Sequence, residues 1–243
     1  MRIAVPVMMF VLLGIGGAVW LIGLHRRMAL EQGLPYSMAH MTVMGIGAAP
    51  LSFLSLGYMQ VAPLSFLMAV FVLPAYVMMT AIGLWFPELG WRALYGFVAG
   101  IVAVLAYDAM RLSLSYSQGG KDPIPHIGVM LFGAGAPWWV GYVWRTFGNG
   151  AGLGVTYAML CPRKYYGPMS GLAFGTVVGL GMLVFLWSEP IAQTQLFKLT
   201  WQTVVNGFLG HWTYGATLGW MLRASRDRPP KPVRPHGRHA RVY

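Results

Sequence analysis

The chain has few charged residues. Only 9% of its 243 residues are Asp, Glu, Lys or Arg, whereas a soluble globular domain carries roughly 25%. Its six carboxylates are too few to cover the surface of a soluble protein of this size. Apolar runs long enough to cross a bilayer recur along the chain, and 57% of the residues are hydrophobic. The sequence therefore predicts an all-α fold, a polytopic transmembrane helical bundle.

Cysteine and the common catalytic motifs are also scarce. The single cysteine, Cys161, excludes an internal disulfide framework and a cysteine-based zinc site, and we expect it to pack as a small apolar residue. The sequence contains no phosphate-binding glycine loop, no HExxH zinc helix and no G-x-S-x-G nucleophile elbow. These absences favour a protein that is not an enzyme.

Positive charge is abundant but confined. The formal net charge is +11, and the stretch from Arg223 to the end of the sequence holds seven Lys or Arg residues against one Asp. A basic, proline-rich tail (residues 224–243) after an apolar helix is typical of a cytoplasmic anchor that meets lipid or a partner subunit. Its one aromatic residue, Tyr243, offers no platform for stacked bases, so we expect no nucleic-acid partner. The predicted docking residues are Arg223, Arg226, Arg228, Lys231 and Arg234.

Hydropathy divides the chain into about eight predicted spans, with seven as the alternative count. We interpret the first span as a transmembrane helix rather than a signal peptide. Its apolar core is long for a cleaved signal peptide, and no A-x-A-like site follows. The span at 147–161 reaches only about 22 Å, which is short of a 30 Å hydrocarbon core. The predicted spans are 3–24, 39–59, 62–86, 92–114, 125–145, 147–161, 168–188 and 200–223.

The orientation of these spans presents a conflict. Eight crossings with a cytoplasmic tail place the N-terminus in the cytoplasm as well. His25, Arg26 and Arg27 then lie on the outer side, which contradicts the positive-inside rule. Either the span count is wrong by one or the heavier C-terminal charge decides the orientation.

Glycines spaced by four residues recur in four predicted spans. Helices in a bilayer associate by close packing, and such glycine stripes allow two backbones to approach. We predict helix packing at these stripes, with a sliding interface of the transporter type as the functional alternative. The residues are Gly96, Gly100, Gly150, Gly154, Gly171, Gly175, Gly179, Gly215 and Gly219.

Asp108 and Arg111 lie one helical turn apart near the end of the span 92–114. Asp108 is about 24 Å along the helix from Arg92, close to the far boundary of the core, which favours an interfacial structural pair. The alternatives are a proton or substrate site that also uses His211 and Asn206, or a contact to a partner subunit.

Two histidines are candidate ligands. His40 lies among Met38, Met41 and Met44, and thioether sulfurs with an imidazole suit Cu(I). The chain has 17 methionines, however, so core filling is the commoner explanation for such a cluster. His211 could hydrogen-bond between helices or ligate a haem as an axial ligand. We expect no cofactor, with copper or haem as the alternatives.

Two short stretches carry a resemblance. YDAMR at 107–111 and GHWTYGATLG at 210–219 are similar to patterns in uncharacterised bacterial polytopic membrane proteins. The resemblance implies a multi-pass protein of the bacterial cytoplasmic (inner) membrane and implies no activity.

The sequence thus favours a non-enzymatic integral membrane protein that is an accessory or structural subunit of a larger membrane complex. Few polar residues within the spans, short loops and a basic cytoplasmic tail support that hypothesis. A small-solute or ion transporter is the first alternative, and a copper- or haem-binding membrane protein is the second.

Overall fold

The computed structural model of the chain describes residues 4–117, 122–189, 193, 196 and 198–226. Side chains are described for 18–114, 122–189, 193, 196 and 198–225. Within these ranges the structure is all-helical, without a strand. The α-helices are α1 (Ala4–Gln32), α2 (Leu34–Tyr58), α3 (Leu64–Leu67), α4 (Leu73–Trp85), α5 (Pro87–Ser117), α6 (Ile124–Phe132), α7 (Trp139–Val143), α8 (Ala151–Leu160), α9 (Pro168–Ser188) and α10 (Trp201–Arg226).

Two short π-helical segments join neighbouring helices into longer ones. Met68–Val72 connects α3 to α4, so that the chain is helical from Leu64 to Trp85. Trp144–Gly150 connects α7 to α8 in the same way, and this helix runs from Trp139 to Leu160. At 1.5 Å per residue the second composite helix is about 33 Å long, enough to cross a hydrocarbon core.

Among the described residues, four helices are long and apolar enough to cross a membrane. They are Leu34–Tyr58, Leu64–Trp85, Pro87–Leu114 and Pro168–Ser188. The four differ in how much of the span the rest of the protein covers. The most apolar window is 44% buried in the first and the third, 28% in the fourth and only 11% in Leu64–Trp85.

The region 125–161 differs from the sequence prediction of two spans at 125–145 and 147–161. Helix α6 ends at Phe132, where Gly133 adopts a φ of 87°. That left-handed conformation suits glycine and commonly ends a helix. A turn containing Pro137 follows, and the composite helix α7–α8 begins at Trp139. One short helix and one long helix therefore replace the two predicted spans.

One end of the bundle gathers the α1–α2 turn, the α4–α5 turn, the α8–α9 loop and the end of α10. Tyr36 contacts the ring of Phe86 with 5.9 Å between centroids, and Arg163 lies 3.7 Å from Glu88. Gly219 of α10 packs directly on the backbone of Gly167. We call this the basic end, because Arg26, Arg27, Arg163, Lys164 and Arg223 lie there.

The opposite end holds the α2–α3 turn, helix α6, the end of α9 and the start of α10. Tyr58, Leu64 and Ile124 are buried in one apolar cluster there. Phe185 and Leu196 pack against the same cluster.

Helix α5 lies at the centre of the fold, because it packs against α8 and also against α10. The residues it buries there are small, and Ala99 and Ala103 are 2% and 0% exposed. They share a cluster with Tyr157 of α8 and Leu218 of α10.

Glycines form the closest helix contacts. A Cβ added at Gly96 would lie 2.6 Å from the carbonyl oxygen of Gly154, and one at Gly100 would overlap Gly150. Stripes on α5 and α8 therefore face each other. We call this contact the first glycine seam.

A second glycine seam joins α9 to α10. A Cβ at Gly171 would overlap the carbonyl oxygen of Gly215, and one at Gly175 would overlap that of His211. Gly179 is less tight, since its Cβ would make ordinary 3.4 Å contacts with His211 and Phe208. Except at Gly179, glycine is required along both seams because a Cβ would overlap the neighbouring helix.

Candidate functional site: a buried ion network

Asp108 and Arg111 lie on one face of α5, one turn apart. The Arg111 Nε donates a hydrogen bond to Asp108 Oδ1 at 3.2 Å. Both residues are buried, with 6% of Asp108 and 4% of Arg111 exposed. The pair is therefore a contact inside the protein rather than a solvated surface pair.

A second arginine strengthens the site. Arg145 enters from the π segment of the composite helix α7–α8, and its Nε lies 2.7 Å and 2.9 Å from the two oxygens of Asp108. The Arg145 guanidinium also lies over the ring of Tyr107, 4.5 Å from its centroid. The carboxylate of Asp108 is thus shared by two cations, and one of them also makes a cation–π contact.

A second carboxylate completes the network. Asp122, in the segment before α6, accepts a hydrogen bond from Arg111 Nη1 at 2.9 Å and another from the backbone N–H of Ile124 at 3.2 Å. The hydroxyl of Tyr142 on α7 donates to Asp122 Oδ2.

We call Asp108, Arg111, Arg145 and Asp122 the ion network. Its two carboxylates balance its two guanidinium groups. One nitrogen, Nη2 of Arg111, is buried without a hydrogen-bond partner in the described part of the chain. Breaking a buried ion pair by removing one partner costs more than the pair contributes, since the remaining charge is left buried. The network therefore holds α5, α7 and the start of α6 in one arrangement.

His211 contacts Tyr107, whose ring lies under Arg145 of the ion network. The rings of His211 and Tyr107 meet edge to face with 5.2 Å between centroids. The His211 Nδ1 lies 2.6 Å from the carbonyl oxygen of Gly207, so that nitrogen carries the proton. Asn206 lies five residues before His211 and projects from a different face of α10. Of the four residues predicted as a polar site, the structure brings only Asp108 and Arg111 into direct contact.

His40 lies near the basic end. Its Nε2 lies 2.8 Å from the carbonyl oxygen of Met159 and donates to it, so only Nδ1 keeps a lone pair. Met38 is 57% exposed while His40 is 2% exposed, so the two project from opposite faces of α2. Met44 is buried and Met41 partly buried in an apolar cluster. Met38 and His40 are not brought together as copper ligands.

The described residues contain no group of three or more His, Cys, Asp or Glu side chains that could hold a metal ion. Cys161 is a free, half-buried thiol at the end of α8. Burial raises the pKa of this thiol.

Arg92 caps the C-terminal end of α8. Its Nε lies 2.5 Å from the Ala158 carbonyl oxygen, and its Nη2 donates to the carbonyl oxygen of Cys161 at 2.8 Å and of Met159 at 3.3 Å. Tyr166 donates a hydrogen bond to the same Ala158 oxygen at 2.7 Å. A cation suits the negative end of the helix dipole and its unpaired carbonyls.

Two tyrosines stabilise the π segment that carries Arg145. The hydroxyl of Tyr76 on α4 donates to the Phe147 carbonyl at 3.1 Å, and that of Tyr214 on α10 donates to the Gly150 carbonyl at 2.7 Å. Asn149, in the same segment, is buried and its Oδ1 has no hydrogen-bond partner among the described residues. π segments occur frequently at functional sites, and this one carries Arg145 of the ion network.

The sequence-based reasoning missed Arg145, Asp122 and Arg92. One signal was available, because Arg145 stands in an apolar stretch and a buried guanidinium requires an acid nearby. Its partner Asp108 lies 37 residues earlier in the chain, and nothing in the sequence connects the two.

The tail residues lie mainly outside the described part of the chain. Arg223 is exposed near the end of α10, and only the backbone of Arg226 is described. Arg228, Lys231 and Arg234 lie outside the described residues.

In the described part of the chain, the fold and the site define an all-helical protein with four helices long and apolar enough to cross a membrane and a buried ion network between helices. No family model, curated protein or solved structure matches the chain.

Proposed function

We propose that the protein is a non-enzymatic integral membrane protein that serves as an accessory or structural subunit of a larger membrane complex. The main support is the helix Leu64–Trp85. It is long and apolar enough to span a membrane, yet only 11% of its most apolar window is buried by the rest of the chain. Association between helices in lipid depends on close packing, and this helix has little of it within the chain.

The face left open has a defined shape. A cleft of about 540 Å³ lies between α4 and α5, and its lining is almost wholly apolar. Gly83 and Gly90 meet backbone to backbone at this crossing. Leu84, Trp91 and Leu94 line the cleft and are exposed. An apolar transmembrane helix of a partner subunit fits such a surface, because its side chains would pack against Leu84, Trp91 and Leu94.

Photocrosslinking tests the proposal. A photoreactive residue at Leu94, in the cleft, is expected to capture a protein partner in the native membrane. The same residue at Val177, which is 59% exposed on α9, is the matched control and is expected to capture lipid. Lipid adducts alone at both positions, together with a monodisperse single-chain particle in mild detergent, would contradict the proposal.

The bundle proposed here has seven crossings, formed by α1, α2, α3–α4, α5, α7–α8, α9 and α10, with the short helix α6 at one surface. With an odd number of crossings, the conflict with the positive-inside rule that eight spans would cause does not arise. His25, Arg26 and Arg27 then lie on the same side as the C-terminal tail, and the positive-inside rule makes that side cytoplasmic. The membrane proposed is the bacterial cytoplasmic membrane.

A transporter is the second candidate, and the ion network favours it specifically. Buried charges in membrane helices commonly mark ion or substrate pathways, and the π segment that carries Arg145 is a further sign of functional geometry. In a transporter the Asp108 carboxylate would exchange between Arg145 and a proton or a substrate cation. Replacing Asp108→Asn is then expected to abolish proton-coupled uptake in vesicles. Unchanged flux in the variant would exclude this function.

A further inference from the structure

The exposed cations of the described side chains are concentrated at the basic end. Arg26 and Arg27 follow each other on α1, Arg163 and Lys164 lie in the α8–α9 loop, and Arg223 lies near the end of α10. The arginine side chains of Arg27 and Arg163 are 72% and 38% exposed. These five residues come from three separate parts of the chain and form one surface only after folding.

Two acidic residues of the described part of the chain lie in this surface. Glu31 pairs with Arg27 at 2.8 Å, and Glu88 lies 3.7 Å from Arg163. Both pairs are exposed, and exposed ion pairs are weak and screened by salt. Arg92 adds a sixth cation just beneath the surface, where it binds carbonyl oxygens rather than a carboxylate.

The described side chains of the opposite end show no such excess. Its described cations, Arg111, Arg145 and Lys198, are matched in number by Asp108, Asp122 and Glu189. Two cations and two carboxylates among these belong to the ion network and are buried or nearly so. The charge asymmetry between the two ends is therefore a property of the folded bundle and does not depend on the C-terminal tail.

Large apolar and aromatic side chains surround the basic end. Leu30 is 89% exposed, Trp85 84%, Tyr165 60% and Met169 78%. Tryptophan and tyrosine are enriched at the level of lipid headgroups. Cations beside such residues are placed where phosphate groups of a leaflet would lie.

We propose that the basic end is a binding surface for anionic phospholipid headgroups, formed by Arg26, Arg27, Arg163, Lys164 and Arg223. Each basic residue near a charged leaflet contributes about a fivefold preference for it at low salt. Anionic lipids are therefore concentrated around this end of the bundle, whether or not the tail takes part. The inference rests on the membrane placement proposed above.

Native mass spectrometry of the full-length protein from nanodiscs tests this inference. The nanodiscs contain equal amounts of phosphatidylglycerol and phosphatidylcholine, and the measured quantity is the ratio of the two lipids retained. We expect several-fold enrichment of phosphatidylglycerol for the wild type. A variant with all five residues replaced by Gln is expected to retain the two lipids almost equally. Lys198→Gln, at the opposite end, is the matched control and is expected to keep the enrichment.

Three outcomes would overturn the inference. The first is equal retention of the two lipids by the wild type. The second is enrichment that persists in the five-residue variant. The third is loss of enrichment when only the tail residues Arg228, Lys231, Arg234, Arg238 and Arg241 are neutralised.

If the five-residue variant does not fold, the wild type alone still tests the inference. Its enrichment should then fall steadily as the salt concentration rises, because screening weakens headgroup attraction at an exposed surface. Enrichment that is independent of salt counts against the inference. Labelling of Cys161 from each side of the membrane tests the membrane placement separately, so failure of the placement and failure of lipid selection give different results.

Discussion

Replacing Asp108 by Asn tests whether the ion network stabilises the fold. The carboxylate accepts hydrogen bonds from Arg145 at 2.7 Å and 2.9 Å and from Arg111 at 3.2 Å. Asn keeps the shape but removes the charge. Arg145 then keeps the Tyr107 ring and a neutral amide oxygen but loses its carboxylate, whereas Arg111 keeps its bond to Asp122.

Removing one partner of a buried pair costs about 3–5 kcal/mol. We expect the lower figure here, because the network lies about 24 Å along α5 from Arg92, near the proposed boundary of the membrane core. A loss of about 3 kcal/mol changes the unfolding equilibrium about 150-fold. It is measured by unfolding the purified protein in mixed micelles with increasing SDS.

A double-mutant cycle makes the test specific. Combining Asp108→Asn with Arg145→Gln removes both charges, so the double variant is expected to recover part of the loss, with a coupling of about 1–3 kcal/mol. Arg27→Gln is the control, since its pair with Glu31 is exposed and screened by solvent and salt, so its loss is expected to leave stability almost unchanged. Strictly additive losses in the cycle, or a neutral Asp108→Asn variant, would refute the structural role of the network.

Three further predictions follow from individual contacts. Gly215→Val is expected to prevent stable packing of α9 against α10, because even a Cβ at this position overlaps Gly171. The control Gly181→Ala meets no atom within 4 Å and is expected to be neutral. Protease resistance of the two variants in membranes measures the difference, and equal resistance would contradict the prediction. Tyr214→Phe is expected to lower the free energy of unfolding in the same SDS titration, because the Gly150 carbonyl loses its 2.7 Å hydrogen bond. Hydrogen bonds between membrane helices contribute about 0.6 kcal/mol on average and about 1.7 kcal/mol at most, so the loss should lie in that range. Tyr165→Phe, at an exposed ring, serves as its control, and an equal loss in both variants would argue against the bond. Burial raises the pKa of the Cys161 thiol, so less of it is thiolate at neutral pH. A membrane-impermeant maleimide should therefore label it slowly, faster as the pH rises, and only from the cytoplasmic side. Labelling from the outer side would reverse the proposed orientation.

The helical class and several helix positions follow from features visible in the sequence. Continuous apolar runs predict helices because every backbone group must be hydrogen-bonded within lipid. The region 125–161 was predicted wrongly for a local reason. Its apolar composition continues across Gly133 and Pro137, and composition alone does not show that Gly133 adopts a positive φ.

The site was only partly predictable. The i,i+3 spacing of Asp108 and Arg111 indicates a contact between them because that spacing is local to one helix. Arg145 and Asp122 join the network through tertiary packing, which no spacing rule encodes. Glycine stripes are likewise visible in the sequence, but the choice of α8 for α5 and of α10 for α9 depends on the whole arrangement of helices.

The order of synthesis gives the ion network a further consequence. Asp108 is made 37 residues before Arg145, a delay of about 2–7 s at a translation rate of roughly 5–20 residues per second. During that interval the nascent α5 carries an acid whose closest partner does not yet exist. In the proposed membrane bundle we therefore expect stable packing of α5 to wait for the composite helix α7–α8, which supplies Arg145.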